Sequence, residues 1–172
     1  YDAAIRTTTP APLPEIAIVN IDDASLAALG PWPWSRDIHA RLIDQLAASG
    51  AKTIVHTAYF TEPQSDRGLG HVRKIRELLA ASGDNGPLAT ELSRIAADAD
   101  QALDTDARLA IAIQRAGNVL LASRYAPAGT PTALPSHVRR STLPDPGTFA
   151  TPVQSAQHPA GNLGASAAAV GH

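Results

Sequence analysis

Three short apolar runs along the chain have the pattern of buried strands. They cover residues 16–21 (IAIVNI), 53–59 (TIVHTAY) and 118–123 (NVLLAS), and apolar residues dominate each of them. A nearly continuous apolar run is typical of a strand that is covered on both faces, as in the interior of a parallel sheet. The pattern therefore predicts a central sheet that is mainly parallel.

Between these runs, apolar residues recur at the spacing of helices, with start and stop residues at the ends of each stretch. The starts and stops are Ser35, Gly50, Gly83, Pro87, Asp104 or Thr105, and Gly117. Together with the apolar runs they predict the order β-α-β-α-α-α-β. This is an α/β fold in three layers, with a mainly parallel central sheet flanked by helices.

The composition changes twice along the chain and predicts three parts. Residues 1–14 contain three prolines and predict an extended lead-in. Residues 15–126 hold the periodic apolar pattern and predict the α/β core. Residues 127–172 are rich in Pro, Ala and Gly, which predicts an irregular segment with a short helix within 163–170. We interpret this last part as the start of a C-terminal portion of the same domain.

Composition also excludes several functions. The chain has 172 residues, of which 44% are hydrophobic, which is enough for the core of one domain. With no cysteine it has no disulfide or thiolate chemistry, and its net charge of −2 gives no reason to expect nucleic acid as a partner. No apolar run approaches the ~18 residues of a membrane span. The absence of methionine indicates a piece of a longer protein.

Candidate binding residues concentrate after the first apolar run. Asp22 and Asp23 follow its carboxyl end, where open parallel sheets bind ligands, although either could instead cap a short helix. Arg36 begins the next predicted helix, where the helix dipole disfavours a cation, so we expect Asp22, Asp23 or a bound acidic ligand as its partner. The full candidate set is Asp22, Asp23, Ser25, Trp32, Trp34, Arg36, His39 and His56.

The tryptophans and histidines in this set each have two interpretations. Trp32 and Trp34 alternate with prolines in a rigid turn, and their rings could stack on a ligand or cover the edge of a core. His39 and His56 could respond to pH or bind a metal, but the histidine spacing does not match a zinc motif. We predict no catalytic residue, no metal site and no cofactor.

Several separated blocks of residues resemble those of one known family. They comprise Ile21, Asp22, Asp23 and Ser25; Leu29, Gly30, Trp32, Pro33, Trp34 and Arg36; Gly50, Ala51, Lys52, Phe60, Glu62 and Pro63; and residues 106–109 and 115–121. In this order they resemble the second class of CHASE domains, the extracytoplasmic sensor modules of transmembrane receptors. The chain departs from that pattern at His56 and Thr57, where the family usually has an aromatic and then an acidic residue.

The resemblance implies a sensory input domain on the periplasmic or extracellular face of the membrane, with no reaction of its own. Its implied partners are an unknown small-molecule or protein stimulus, a second copy in a homodimer, and the transmembrane helices and cytoplasmic output domain of the parent protein. Such output domains include nucleotide cyclases, histidine kinases, protein kinases and diguanylate cyclases. Two alternatives remain open: a hydrolase or metal-dependent enzyme using Asp22 and Asp23, and a structural oligomerisation module.

Overall fold

The computed structural model describes residues 13–64, 66–130, 133–144 and 153–171. Most of the predicted lead-in, residues 1–12, lies outside this part of the chain. The chain divides into two compact units, the first ending at Trp34 and the second beginning at Ser35.

The first unit contains one helix, α1 (Asp23–Leu29), and no strand among its described residues. Asp22 caps α1 because its Oδ1 accepts a hydrogen bond from the backbone N–H of Ser25 at 2.8 Å. The prediction of a buried strand over residues 16–21 is wrong for this structure. Ile18 is 81% exposed, and no described segment pairs with this run. The run therefore lacks the hydrogen-bonded ladder that defines a strand in a sheet.

The second unit holds the other helices. They are α2 (Arg36–Ala48), α3 (Arg67–Ser82), α4 (Pro87–Leu103), α5 (Thr105–Ala116), α6 (Ser136–Arg139) and α7 (Gly161–Ser166). The predicted stops are confirmed at Gly83 and Gly117, which adopt positive φ angles of 64° and 70° that favour glycine. Pro87 is confirmed at the start of α4 and Asp104 as the cap of α5. No helix in the described residues is long and apolar enough to cross a membrane.

The predicted parallel sheet is confirmed. It consists of β1 (Ile54–His56), β2 (Val119–Ala122) and β5 (Ala169–Gly171) in the order β1-β2-β5, and both pairings are parallel. A separate antiparallel pair joins β3 (Arg124–Ala126) to β4 (Ser155–Gln157). Helices flank the parallel sheet, which gives the predicted three-layer α/β fold.

The core lies between the sheet and the helices of the second unit. Its most buried large side chains are Ile43, Phe60, Leu109, Ile113, Val119, Leu121 and Leu163, each at most 2% exposed. Helix α5 packs against both α2 and α7, and α2 also contacts β1. Burial of these aliphatic groups, with one phenylalanine, holds the carboxyl end of β1 against the amino-terminal turn of α2.

The segment after residue 127 has more regular structure than its composition predicts. It contains β4, α6, α7 and β5, while residues 131–132, 145–152 and 172 lie outside the description. The helix expected within 163–170 covers 161–166, and the chain then enters β5. Three residues of alanine, valine and glycine carry no periodic signal, and their strand conformation comes from pairing with β2.

Candidate functional site

Six side chains of the second unit meet at the carboxyl end of β1, and we call them the histidine cluster. They are Arg36, His39, His56, Phe60, Gln64 and Asp106. His56 is the last residue of β1, Arg36 and His39 lie in the first turn of α2, and Asp106 lies in the first turn of α5. The end of a parallel strand and the starts of two helices therefore supply the polar groups.

The two histidines are joined directly. His39 Nδ1 and His56 Nε2 are 3.1 Å apart, and the N–H of Ala58 donates to His56 Nδ1 at 3.3 Å. Since Nδ1 of His56 accepts, the neutral ring of His56 carries its proton on Nε2 and donates it to His39. Protonating His56 would turn its Nδ1 into a second donor and break the bond from Ala58.

The environment favours the neutral form of both rings. Burial is the main cause that lowers the pKa of His56 to about 4, and a proton on His39 and the guanidinium of Arg36 each act in the same direction. Burial also lowers the pKa of His39, with Arg36 contributing and Asp37 opposing. Phe60 packs edge-on to His39 at 5.1 Å between ring centroids and shields the pair from water.

Arg36 is held from three directions. Its Nε donates to Asp106 Oδ1 at 3.1 Å, its Nη2 donates to the carbonyl of Glu62 at 2.9 Å, and its guanidinium lies 4.3 Å from the centre of the Phe60 ring. The prediction that Arg36 pairs with an acidic group is confirmed, but Asp22 and Asp23 were the wrong residues. The starts of α2 and α5 lie side by side, so the acidic first turn of α5 provides the carboxylate.

Gln64 supplies the cap of α2 that Ser35 was expected to provide. Ser35 occupies the cap position without a capping bond from its side chain. Instead, Oε1 of Gln64 accepts from the N–H of Arg36 at 2.8 Å and from Thr105 Oγ1 at 3.0 Å, and the N–H of Gln64 donates to Asp106 Oδ2 at 2.8 Å. Gln64 and Asp106 thus tie the segment after β1 to the starts of two helices.

Replacing Asp106 by alanine should lower the free energy of unfolding by about 3 kcal/mol, because it strands a guanidinium that is only 13% exposed and an amide donor. Chemical denaturation of both proteins measures the change. The matched control is Asp98→Ala, which breaks an ion pair of exposed side chains and should cost at most about 0.5 kcal/mol. Equal losses in the two variants would contradict the role assigned to Asp106.

The candidates in the first unit make local contacts. Asp22 Oδ1 accepts from both the N–H and the hydroxyl of Ser25, and these bonds lower the pKa of Asp22. Trp34 Nε1 donates to the carbonyl of Gly30 at 2.8 Å, and its ring meets Trp32 edge to face at 5.6 Å. Asp22 therefore acts as a helix cap, while Asp23 lies in the first turn of α1. Ligand binding by these candidates of the first unit stays a prediction.

Sequence reasoning missed half of the histidine cluster. Phe60, Gln64 and Asp106 were absent from the candidate set, although Phe60 and Asp106 lie in blocks that resemble the CHASE family. It also missed a pair just after β2, in which the buried Ser123 Oγ lies 2.9 Å from Nδ1 of the partly buried His158. Among the described residues, no group of three or more His, Asp or Glu side chains could hold a metal ion.

The fold and this cluster define an α/β domain with polar side chains gathered where parallel strands end. Comparison with protein families identifies it further: the chain matches the CHASE2 domain over residues 1–172, and it belongs to that family. CHASE2 domains are extracytoplasmic sensory domains of receptors. A comparison with curated proteins finds no significant match, and a comparison with solved structures finds none either.

Proposed function

We propose that this chain is the input domain of a membrane-anchored signalling receptor, placed on the periplasmic or extracellular side and without a reaction of its own. It would detect a small molecule or a protein and relay the signal to a cytoplasmic output domain such as a nucleotide cyclase, histidine kinase, protein kinase or diguanylate cyclase. The observation that carries this proposal is the match to the CHASE2 family along the whole chain.

The histidine cluster is the element that we propose responds to the stimulus. It links β1, α2 and α5 through side chains that mostly contact one another, so disturbing one of them alters the position of several elements. A ligand that binds one arrangement more tightly than another shifts the population between them by that difference in affinity. An anion that drew Arg36 away from Asp106 would separate the starts of α2 and α5 in this way.

Cysteine labelling in whole cells tests the placement. The native chain has no cysteine, so Asn85→Cys, in the exposed link between α3 and α4, introduces a single thiol into this domain of the intact gene product. A maleimide that cannot cross the cytoplasmic membrane should label this thiol as fully in intact cells as in lysed cells.

The control is Leu109→Cys, whose side chain is fully buried and should react only after denaturation. If Asn85→Cys reacts only after lysis, the domain faces the cytoplasm and the proposal fails.

A further inference from the structure

A second group of polar side chains lies just after β2, and we call Ser123, His137 and His158 the Ser123 cluster. Ser123 is 1% exposed, and its Oγ lies 2.9 Å from Nδ1 of His158. His137 belongs to α6 and packs against α7, since a Cβ added to Gly164 would lie 2.4 Å from His137 Nε2. A proton on His137 lowers the pKa of His158, so the two rings lie within electrostatic reach of each other.

Both histidines of the Ser123 cluster bury a ring nitrogen that lacks a partner. The Nε2 atoms of His137 and His158 are buried, and neither has a hydrogen-bond partner among the described residues. A protonated imidazole donates from both nitrogens, so a proton would leave a charged N–H without an acceptor in each ring. Burying such a group costs more than burying a neutral nitrogen. The closed arrangement of this cluster therefore favours neutral rings.

The charges around the Ser123 cluster also oppose protonation. Burial is the first cause that lowers the pKa of both rings, and for His137 the guanidinium of Arg140 acts in the same direction. Residues 107–144 contain no Asp or Glu, and neither do residues 153–171. The charged or titratable side chains that β3 and α6 add are basic or aromatic, namely Arg124, Tyr125, Arg139 and Arg140. These elements therefore offer no carboxylate to a protonated ring.

The histidine cluster has the same property. Its carboxylate, Asp106, already accepts from Arg36 and from a backbone N–H. Glu62 offers its carbonyl to Arg36 and is itself exposed. Asp37 acts to raise the pKa of His39, but burial and Arg36 outweigh it. In both clusters, the closed form thus binds protons weakly.

One backbone hydrogen bond links the two clusters. The N–H of Ala160 donates to the carbonyl of Phe60 at 2.7 Å. Phe60 contacts both rings of the histidine cluster, and Ala160 lies two residues after His158. The clusters also lie at the carboxyl ends of β1 and β2, which are neighbouring parallel strands. Opening one cluster therefore disturbs the segment that holds the other.

We infer that acidity is the stimulus of this domain, and that protons bind to the two linked clusters and open the carboxyl edge of the parallel sheet. In an opened form the rings reach water and titrate with a pKa near 6.5, as in an unfolded chain. As the pH falls below that value, the opened form binds protons that the closed form does not. Its population relative to the closed form then rises by up to about tenfold per pH unit for each histidine released.

The inference rests on the proposed sensory function, since a domain outside the cytoplasm is exposed to the pH of the surroundings. An NMR titration of the chain from neutral pH to about pH 4 tests it. The ring signals report the protonation of each histidine, and the amide signals of Ala58 and Ala160 report opening. We expect His56 and His158 to protonate in one step with a Hill coefficient above unity, and both amides to shift at the same midpoint.

The Hill coefficient is decisive because charge alone acts in the opposite direction. Repulsion between neighbouring imidazolium charges spreads their titrations apart and gives a coefficient below unity. A value above unity therefore requires a conformational change that the histidines share. Circular dichroism should keep its helical signal through this step, which distinguishes opening from acid unfolding.

Variants test the link between the clusters. His158→Gln removes one titrating ring of the Ser123 cluster and should lower the Hill coefficient of His56 toward unity. His137→Gln, at the other ring, should have the same effect and replaces it if His158→Gln does not fold. The matched control is His71→Gln, which removes an exposed imidazole from α3 and should leave the titration of His56 unchanged.

Four results would each overturn the inference. They are a Hill coefficient at or below unity in the native chain, an Ala160 amide that does not respond to the titration, loss of the helical signal at the same midpoint, and a folded His158→Gln variant that titrates at His56 like the native chain. Independent titration in a chain that is labelled from outside the cell would overturn the acid stimulus and leave the sensory function standing. Labelling only after lysis would overturn the sensory function, whatever the titration shows.

Discussion

Replacing Phe60 by alanine should cost the domain about 3 to 5 kcal/mol in the free energy of unfolding, the range for a phenylalanine removed from a core. Phe60 is 1% exposed, and its ring contacts both histidines and the guanidinium of Arg36. The variant therefore loses buried area and opens the histidine pair to water. Denaturation in urea, followed by circular dichroism, measures the loss.

Two control variants distinguish the contribution of the Phe60 ring to stability from that of any apolar side chain at this position and from that of a neighbouring aromatic residue. Phe60→Leu keeps an apolar side chain in the core and should cost roughly 1 to 2 kcal/mol. Tyr59→Ala changes the neighbouring aromatic residue, which is 53% exposed, and should change stability by at most about 0.5 kcal/mol. If Phe60→Ala is no more destabilising than Tyr59→Ala, then Phe60 does not anchor the cluster.

Acid should destabilise the domain through His56 well above the pH at which carboxylates protonate. A histidine in the unfolded chain titrates near pH 6.5, whereas the pKa of His56 is lowered to about 4 in the fold. As the pH falls from 6.5 toward 4, the unfolded state takes up a proton that native His56 does not. Stability is complete above pH 6.5 and falls by about 3 kcal/mol by pH 4 from this residue alone.

The comparison variant for this effect is His56→Gln, which keeps a polar side chain but does not titrate. His39 has its pKa lowered in the same direction and remains in both proteins, so the difference between their pH profiles reports the titration of His56 together with its coupling to His39. Thermal unfolding at half-unit pH steps should show a steeper decline for the native chain between pH 6.5 and 4. Parallel curves over that interval would contradict the burial assigned to His56.

Helices were predictable from the sequence because their signals are local. Gly83 and Gly117 end helices with left-handed backbone angles, Pro87 starts a helix at the position where its missing N–H costs nothing, and Asp104 caps the next helix with its own carboxylate. Each of these effects involves residues within one turn of the helix end. The order of helices between β1 and β2 followed directly from them.

Strands were harder because their formation depends on distant partners. Residues 16–21 are as apolar as 118–123, yet only the second run has strands on both sides to pair with. Conversely, β5 is three small residues with no pattern of their own, and it is a strand because β2 lies beside it. The sequence of a segment indicates whether it could form a strand, but it forms one only if another strand lies beside it to pair with.

In the candidate site, too, residues with a local signal were predictable and their distant partners were not. Arg36, His39 and His56 were singled out from the sequence, and the structure brings these three together. The predicted acidic partner of Arg36 was wrong. The actual partner, Asp106, is 70 positions away along the chain, on a helix whose placement cannot be read from the sequence. Gln64 was missed because a side chain that caps another segment has no local signature.

The three strands of the parallel sheet come from widely separated parts of the chain, near residues 55, 120 and 170. Contacts between such distant segments close slowly during folding, and the sheet cannot be completed until the last of them has been synthesised.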